Sequence, residues 1–362
     1  MNHYPSNVKE KLNSIILSMA EHHWLFSKNP GHDFTRQHLG KLSFYDTMRL
    51  IISMGKGSTN DEIMDYFDLD PDLIPSQSAF CQRRRQISLS AFEYLFSEFS
   101  SSFPSTTDKF KDHCILACDG CHVVYATNSD IIEDYNKPRL IDYKGYNHMH
   151  LNGFVDVISK AFLDVVIQPG QQPDECEALH SMLDHFTPDD PQKYIITADR
   201  GYESYDLLFH CEFKNLGYVF RVKSPSSPKS ILSYYASEFP DDLEEFDVTI
   251  KRFFTDKATN IMKSQSDVYR YINPSKNTPH FYELLRKNHS HLYFLQFRVV
   301  KIKTAENTQE IYSRLILYNF GIFIANEAAE ENRKKKRDGS NKYLYELDFS
   351  SALKTARKEQ GA

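Results

Sequence analysis

Leu116-Ala117-Cys118-Asp119-Gly120 and, further on, Ile195-Ile196-Thr197-Ala198-Asp199-Arg200-Gly201-Tyr202 decide how this chain folds. Each is a short apolar run, partly β-branched, that closes on a single aspartate. Runs of this kind read as buried strands, and an aspartate at the end of such a strand is delivered to the edge of a sheet. Two strands that do this can bring their carboxylates together, and hard oxygen ligands held that way bind divalent cations. The plainer reading is that each aspartate caps the turn after its strand. One aspartate alone would favour the cap; two, the first followed by Gly120 and the second by Arg200-Gly201-Tyr202, favour a metal site at Asp119 and Asp199.

Around these runs, residues 114 to 222 alternate strands with helices. Strands are expected at Ile115–Ala117, Cys121–Ala126, His150–Val157, Phe162–Ile167, Tyr194–Ala198 and Tyr218–Val222, with helices at Glu175–Phe186 and Tyr205–Asn215. Antiparallel neighbours, then a crossing helix and a parallel strand, make a mixed α/β sheet. Upstream, residues 8 to 103 read as helical, with apolar residues three and four apart in Lys9–Met19, Phe44–Met54 and Phe92–Phe99. Ser58-Thr59-Asn60-Asp61-Glu62 opens a helix with cap residues and first-turn acids, and a basic helix containing Arg83-Arg84-Arg85 follows a turn. That pair fits a helix-turn-helix that contacts DNA and equally a bundle whose arginines face solvent. Downstream, Ser224-Pro225-Ser226-Ser227-Pro228 marks a boundary. Phe246–Phe254 and Leu292–Lys303 then alternate like strands with a polar loop between them, an apolar helix spans Ile311 to Ala329, and a last helix lies near Ser350–Lys358. The expected division is 1–110 helical, 111–223 α/β core, 224–305 β-rich insertion and 306–362 a helical remainder of the core.

The gross composition bounds the function. At 362 residues, 41% hydrophobic and 14% aromatic, the chain is globular and large enough for two or three domains. No apolar run is long enough to span a bilayer, and no secretory signal stands at the amino terminus. Six cysteines without an even framework suit a reducing cytoplasm. A net charge of −6 counts modestly against duplex DNA, although Arg83–Arg85, Arg298–Lys303 and Arg333–Arg337 are local basic patches. His113, Cys114, Cys118, Cys121 and His122 offer zinc-binding groups, but they straddle a strand that sends alternate residues to opposite faces. Tyr146, Asn147, His148 and His150 form a polar cluster that could line the aspartate site or be solvated turn residues.

On these residues the chain resembles the bacterial insertion-sequence transposases with a DDE catalytic core, of the group founded on insertion sequence four. The likeness runs through Leu42-Ser43-Phe44, Ile51-Ile52-Ser53-Met54-Gly55, Pro75-Ser76-Gln77-Ser78-Ala79-Phe80, Ala117-Cys118-Asp119-Gly120, Tyr143-Lys144-Gly145, His150-Leu151-Asn152 and Phe220-Arg221-Val222-Lys223. Ala198-Asp199-Arg200-Gly201-Tyr202 is its most specific stretch, and the segment from Gln309 to Phe320 resembles the family's late helix. The resemblance implies a ribonuclease-H-like mixed sheet, Mg²⁺ or Mn²⁺, and cleavage and joining of DNA at transposon ends. Asp119 and Asp199 would be the first two members of the catalytic triad and the metal ligands. Arg83, Arg84, Arg85, Arg200 and Lys223 are the expected DNA contacts, and a homodimer is one assembly it allows. The family's glutamate sits in a signature of Tyr, two residues, Arg, three residues, Glu, six residues, Lys. After Arg221 that signature is absent, and only Thr304 to Thr308 separates the segments that flank it, with Glu306 and Glu310 nearby. The expectation is an internally shortened transposase that has lost cleavage. The alternatives are a DNA-end-binding or dimerising regulator and a metal-dependent nuclease that uses a displaced acid.

Overall fold

The structure, a computed structural model, describes residues 4–35, 42–70, 72–102, 109–137, 145–240, 245–257, 259–273 and 278–301. The helices expected near 311–329 and 350–358, the basic stretch 333–337, the stretch around Tyr143-Lys144, and Glu306 and Glu310 lie outside the described residues. Among the described residues two compact units are present: one holds residues up to Tyr234 together with Asn273–Tyr293, and the other holds Tyr235–Ile272 and Phe294–Lys301.

The first unit opens with helices α1 (Tyr4–Glu21), α2 (Phe44–Ser53), α3 (Thr59–Tyr66), α4 (Gln77–Gln86) and α5 (Leu89–Ser101). Their starts follow from local chemistry. Ser43 and Asp46 form a reciprocal capping box on α2, and the Ser58 and Ser76 hydroxyls accept from Asp61 N and Ala79 N at the starts of α3 and α4. Ile15, Ile16 and Met19 of α1, Phe44 and Met48 of α2, Ile87, and Ala91 and Leu95 of α5 close around the fully buried Phe34.

The same unit carries a mixed sheet. Strands β1 (Cys114–Tyr125), β3 (Tyr146–Asp156) and β4 (Phe162–Pro169) are antiparallel neighbours, with the two-residue β2 (Tyr135–Asn136) also against β3. On the other side of β1 lie β5 (Tyr194–Ala198) and then β6 (Gly217–Phe220), both parallel. Helix α6 (Glu175–His185) leads into β5 and α7 (Tyr205–Phe213) leads out of it. Leu116, Cys118, Phe154, Ile196 and Ala198 on one sheet face pack against Ala178, Leu179, Met182 and Leu183 of α6 and Leu207 and Cys211 of α7. This is a ribonuclease-H-like α/β core, as the resemblance implies.

Two expectations need adjustment. The runs at Ile115–Ala117 and Cys121–Ala126 are one continuous strand, so Asp119 lies inside β1 and not at its end. Antiparallel pairing with β3 extends from Leu116 to Tyr125, whereas the parallel partner β5 stops opposite Cys118. Asp119 is thus exposed because β1 outruns β5. The polar loop expected between Phe254 and Leu292 instead contains α8 (Asn260–Ser264), β8 (Tyr269–Tyr271) and α9 (Pro279–Lys287). Helix α9 buries Phe281, Leu284 and Leu285, and Phe281 meets Phe209 of α7 at a ring-centroid distance of 4.6 Å. The second unit contains β7 (Phe246–Thr255) flanked by β8 and β9 (Leu292–Lys301), with Arg252 paired to Glu238 and stacked on Tyr235.

Candidate metal centre

Strands β1 and β5 run in parallel register with Cys118 beside Ala198. The next residue of each chain segment, Asp119 and Asp199, therefore follows on adjacent strands, which lie about 4.8 Å apart. Both are exposed. Asp199 Oδ1 accepts Gly201 N at 2.6 Å and caps the single turn Arg200–Tyr202; Asp119 Oδ1 accepts Gly120 N at 2.9 Å. The capping role is real, and it engages one oxygen of each carboxylate.

A third carboxylate, with no counterpart in the sequence reading, stands beside Asp199 and the glycine that follows Asp119. Asp174 accepts from Glu177 N and caps α6, which places Glu175 in the first turn, where an acid is favoured by the helix dipole. A Cβ at Gly201 would lie 2.5 Å from Glu175 Oε2 and 2.9 Å from Asp199 Oδ1. One at Gly120 would lie 2.5 Å from His150 Nε2 and 3.0 Å from Glu175 Oε1. The glycines that follow the two aspartates thus leave the space that the Glu175 carboxylate fills. His150 is 3% exposed and makes no hydrogen bond through either ring nitrogen, while its Nε2 lies 3.4 Å from Glu175 Oε1. The signal for Glu175 in the sequence was the pair of glycines, but nothing local tells which distant residue occupies their space.

Tyr202, fully buried, anchors the Asp-Arg-Gly-Tyr turn by donating its hydroxyl to Asn152 Oδ1 at 3.2 Å. Burial, and then the neighbouring Cys118, pushes this phenol well above its ordinary range, so it stays a donor. Burial also pushes the Cys118 thiol up to about 12. Arg200 is exposed beside Asp199. Lys223 is half-buried, its ammonium 3.2 Å from the fully buried carboxylate of Glu203. Burial works to raise that carboxyl, but hydrogen bonds from Lys223, Ser230 and Ile231 outweigh it and hold Glu203 below its usual value. Asn147, His148 and His150 are buried strand residues, not solvated turn residues, and of the three His150 reaches Glu175.

The arginines of α4 divide. Arg84 and Arg85 are exposed, whereas Arg83 stacks over Phe34 at 5.1 Å and donates to Gln86 Oε1. Arg298 of the second basic patch is paired with Asp247. The zinc-type residues around Cys118 form no metal-holding group among the described residues. The one such group there is His180, His210 and His280, whose ring nitrogens lie within 4.8 Å of one another. Their rings stack nearly parallel, at 9–17°, so their in-plane lone pairs do not converge on one point. Asp206, 2% exposed, accepts from His280 Nδ1 at 2.7 Å and from the backbone N of His280 and Phe281. This is a closed polar stack tying α9 to α6 and α7.

The donors of Asp119, Asp199 and Glu175 are oxygens that open to solvent, the chemistry a hard divalent cation takes, although the three do not stand within 4.8 Å of one another as the histidines do. Among the described residues no helix is long and apolar enough to cross a membrane. A family model described as the transposase DDE domain matches residues 110–314, more than half of the chain. No curated protein matches it.

Proposed function

The chain belongs to the transposase DDE domain family, and from that premise we propose that it cleaves and joins DNA strands at transposon ends with Mg²⁺ or Mn²⁺ held by Asp119 and Asp199. The observation that supports this reading is the register of β1 and β5, in which Cys118 lies beside Ala198 and an exposed aspartate follows each. Bound there, divalent cations supply Lewis-acid polarisation of the phosphate and a nucleophile from water or a 3′-hydroxyl. Asp199 is fixed for this by its own turn, since the bond from Gly201 N orients the carboxylate and Tyr202 pins the turn to β3. Arg200, exposed next to Asp199, is placed to contact a phosphate, and α3 with α4 supplies a helix pair whose Arg84 and Arg85 are open to the DNA backbone.

A second reading, a DNA-end-binding regulator without strand cleavage, draws on the missing Tyr–Arg–Glu–Lys signature after Arg221. One assay separates the two: Mg²⁺- and Mn²⁺-dependent nicking of supercoiled and transposon-end DNA, with Asp199→Ala as control. Nicking that disappears in the variant supports the proposal. A folded wild-type protein that binds the DNA ends and never cuts them establishes the regulator.

A further inference from the structure

We propose that Glu175 is the third carboxylate of this centre, holding the same divalent cations as Asp119 and Asp199. The inference rests on the assignment of those two aspartates and supplies, from the start of α6, the acid that the shortened late region does not.

An ordinary first-turn glutamate of a helix extends into water. The carboxylate of Glu175 is instead turned inward onto the glycines that follow both aspartates, with Oε1 towards Gly120 and Oε2 towards Gly201 and Asp199. Its side chain is about one-third exposed, and Glu175 and Asp119 both act electrostatically on the buried Cys118 and Tyr202. The Glu175 and Asp199 carboxylates face the same glycine, and like charges brought close repel one another unless a cation lies between them. Among the described residues no lysine or arginine pairs with any of the three, and their one ionic neighbour is His150. That ring is a second, independent pointer. It is buried, unpartnered at both nitrogens and aimed at Glu175, so it is set to position the carboxylate from behind by donating a proton to Oε1 once the acid is drawn to a ligand. Second-shell hydrogen bonding of this kind orients ligating carboxylates.

The test is Mn²⁺ binding to the full chain without DNA, followed by electron paramagnetic resonance, on wild type, Asp199→Asn, Glu175→Gln, Glu175→Asp and Gly201→Ala. Urea midpoints establish that each protein is folded. Glu175→Gln is expected to weaken Mn²⁺ binding by about tenfold or more, with Glu175→Asp retaining more affinity than the amide. Gly201→Ala, whose methyl group would crowd both Glu175 Oε2 and Asp199 Oδ1, is expected to weaken binding in the same direction, and Glu175→Asp decides the matter should Glu175→Gln fail to fold. Wild-type affinity in Glu175→Gln alongside lost affinity in Asp199→Asn overturns the role of Glu175 and leaves the aspartate centre standing. Equal binding by wild type and Asp199→Asn overturns the centre itself.

Discussion

Helix α6 carries a charged cluster at each of two levels, and the two clusters handle their charge in opposite ways. At its first turn, Glu175 meets Asp199 and the glycine that follows Asp119 at an open edge, where none of the three carboxylates pairs with a lysine or arginine among the described residues. One turn deeper, His180 meets His210, His280 and Asp206 in a closed stack, where one carboxylate accepts the protons of its neighbours. Burying ionisable groups is costly unless they are paired and hydrogen-bonded. The deep cluster meets that condition at Asp206, with His210 Nε2 3.2 Å from Asp184 Oδ1, and therefore serves the fold. The shallow cluster does not, which is the arrangement expected of a site completed from outside.

The largest expected effect breaks the shallow cluster. Asp119→Ala or Asp199→Ala should reduce Mg²⁺-dependent nicking by on the order of 10³-fold or more, while the urea midpoint falls by no more than the loss of a turn cap costs. A fall in stability with nicking retained would mean that the aspartates are structural caps only. The mirror experiment is Asp206→Ala. Removing the acceptor of the His280 ring and of two backbone N–H groups leaves buried donors unpaired and should lower the unfolding free energy by about 3 kcal/mol, with Mn²⁺ affinity unchanged. If both substitutions moved both readouts, the two clusters would be one functional unit.

Acid sharpens the contrast. Burial, followed by the neighbouring His280, lowers the His180 pKa to about 4, and burial with His280 and His180 lowers that of His210 further, to about 2. Unfolded histidine titrates near 6.5, so below that pH the unfolded chain binds protons that the folded one refuses. Stability is therefore retained above pH 6.5 and lost as the pH falls towards 4; for His180 alone the loss approaches about 3 kcal/mol. Urea midpoints measured between pH 7 and pH 4 should fall accordingly, and His180→Phe should flatten the slope. A pH-independent midpoint would show that the stack is open to protons.

What the sequence carried, and what it did not, follows the same division. The aspartates were legible because a buried strand that ends in, or passes through, an unpaired acid is locally anomalous. The core strands and helices α6 and α7 were legible because their apolar spacing is complete within each segment. The mid-strand position of Asp119 was not, since only the length of the partner strand β5 sets where β1 becomes exposed. Helix α9 was read as polar loop because its buried face is only Phe281, Leu284 and Leu285 between charged residues. Glu175 and the histidine stack were invisible for one reason: each joins residues 24 to 100 positions apart, and neither leaves a spacing in the chain.

The smallest effect applies the same distinction to α4. Arg83 is already committed, its guanidinium over Phe34 and its N–H on Gln86, whereas Arg84 and Arg85 project into solvent. Arg83→Ala should cost the fold about 1 kcal/mol and change DNA affinity little. Arg84→Ala and Arg85→Ala should leave the urea midpoint in place and each reduce the slope of log binding constant against log salt by about one. Fluorescence anisotropy on transposon-end duplexes across a salt series measures that slope. Unchanged slopes in both variants would make the arginine run of α4 a solvated helix end, its charges complementing the C-terminal dipole, and would move the DNA interface to Arg200 and its surroundings.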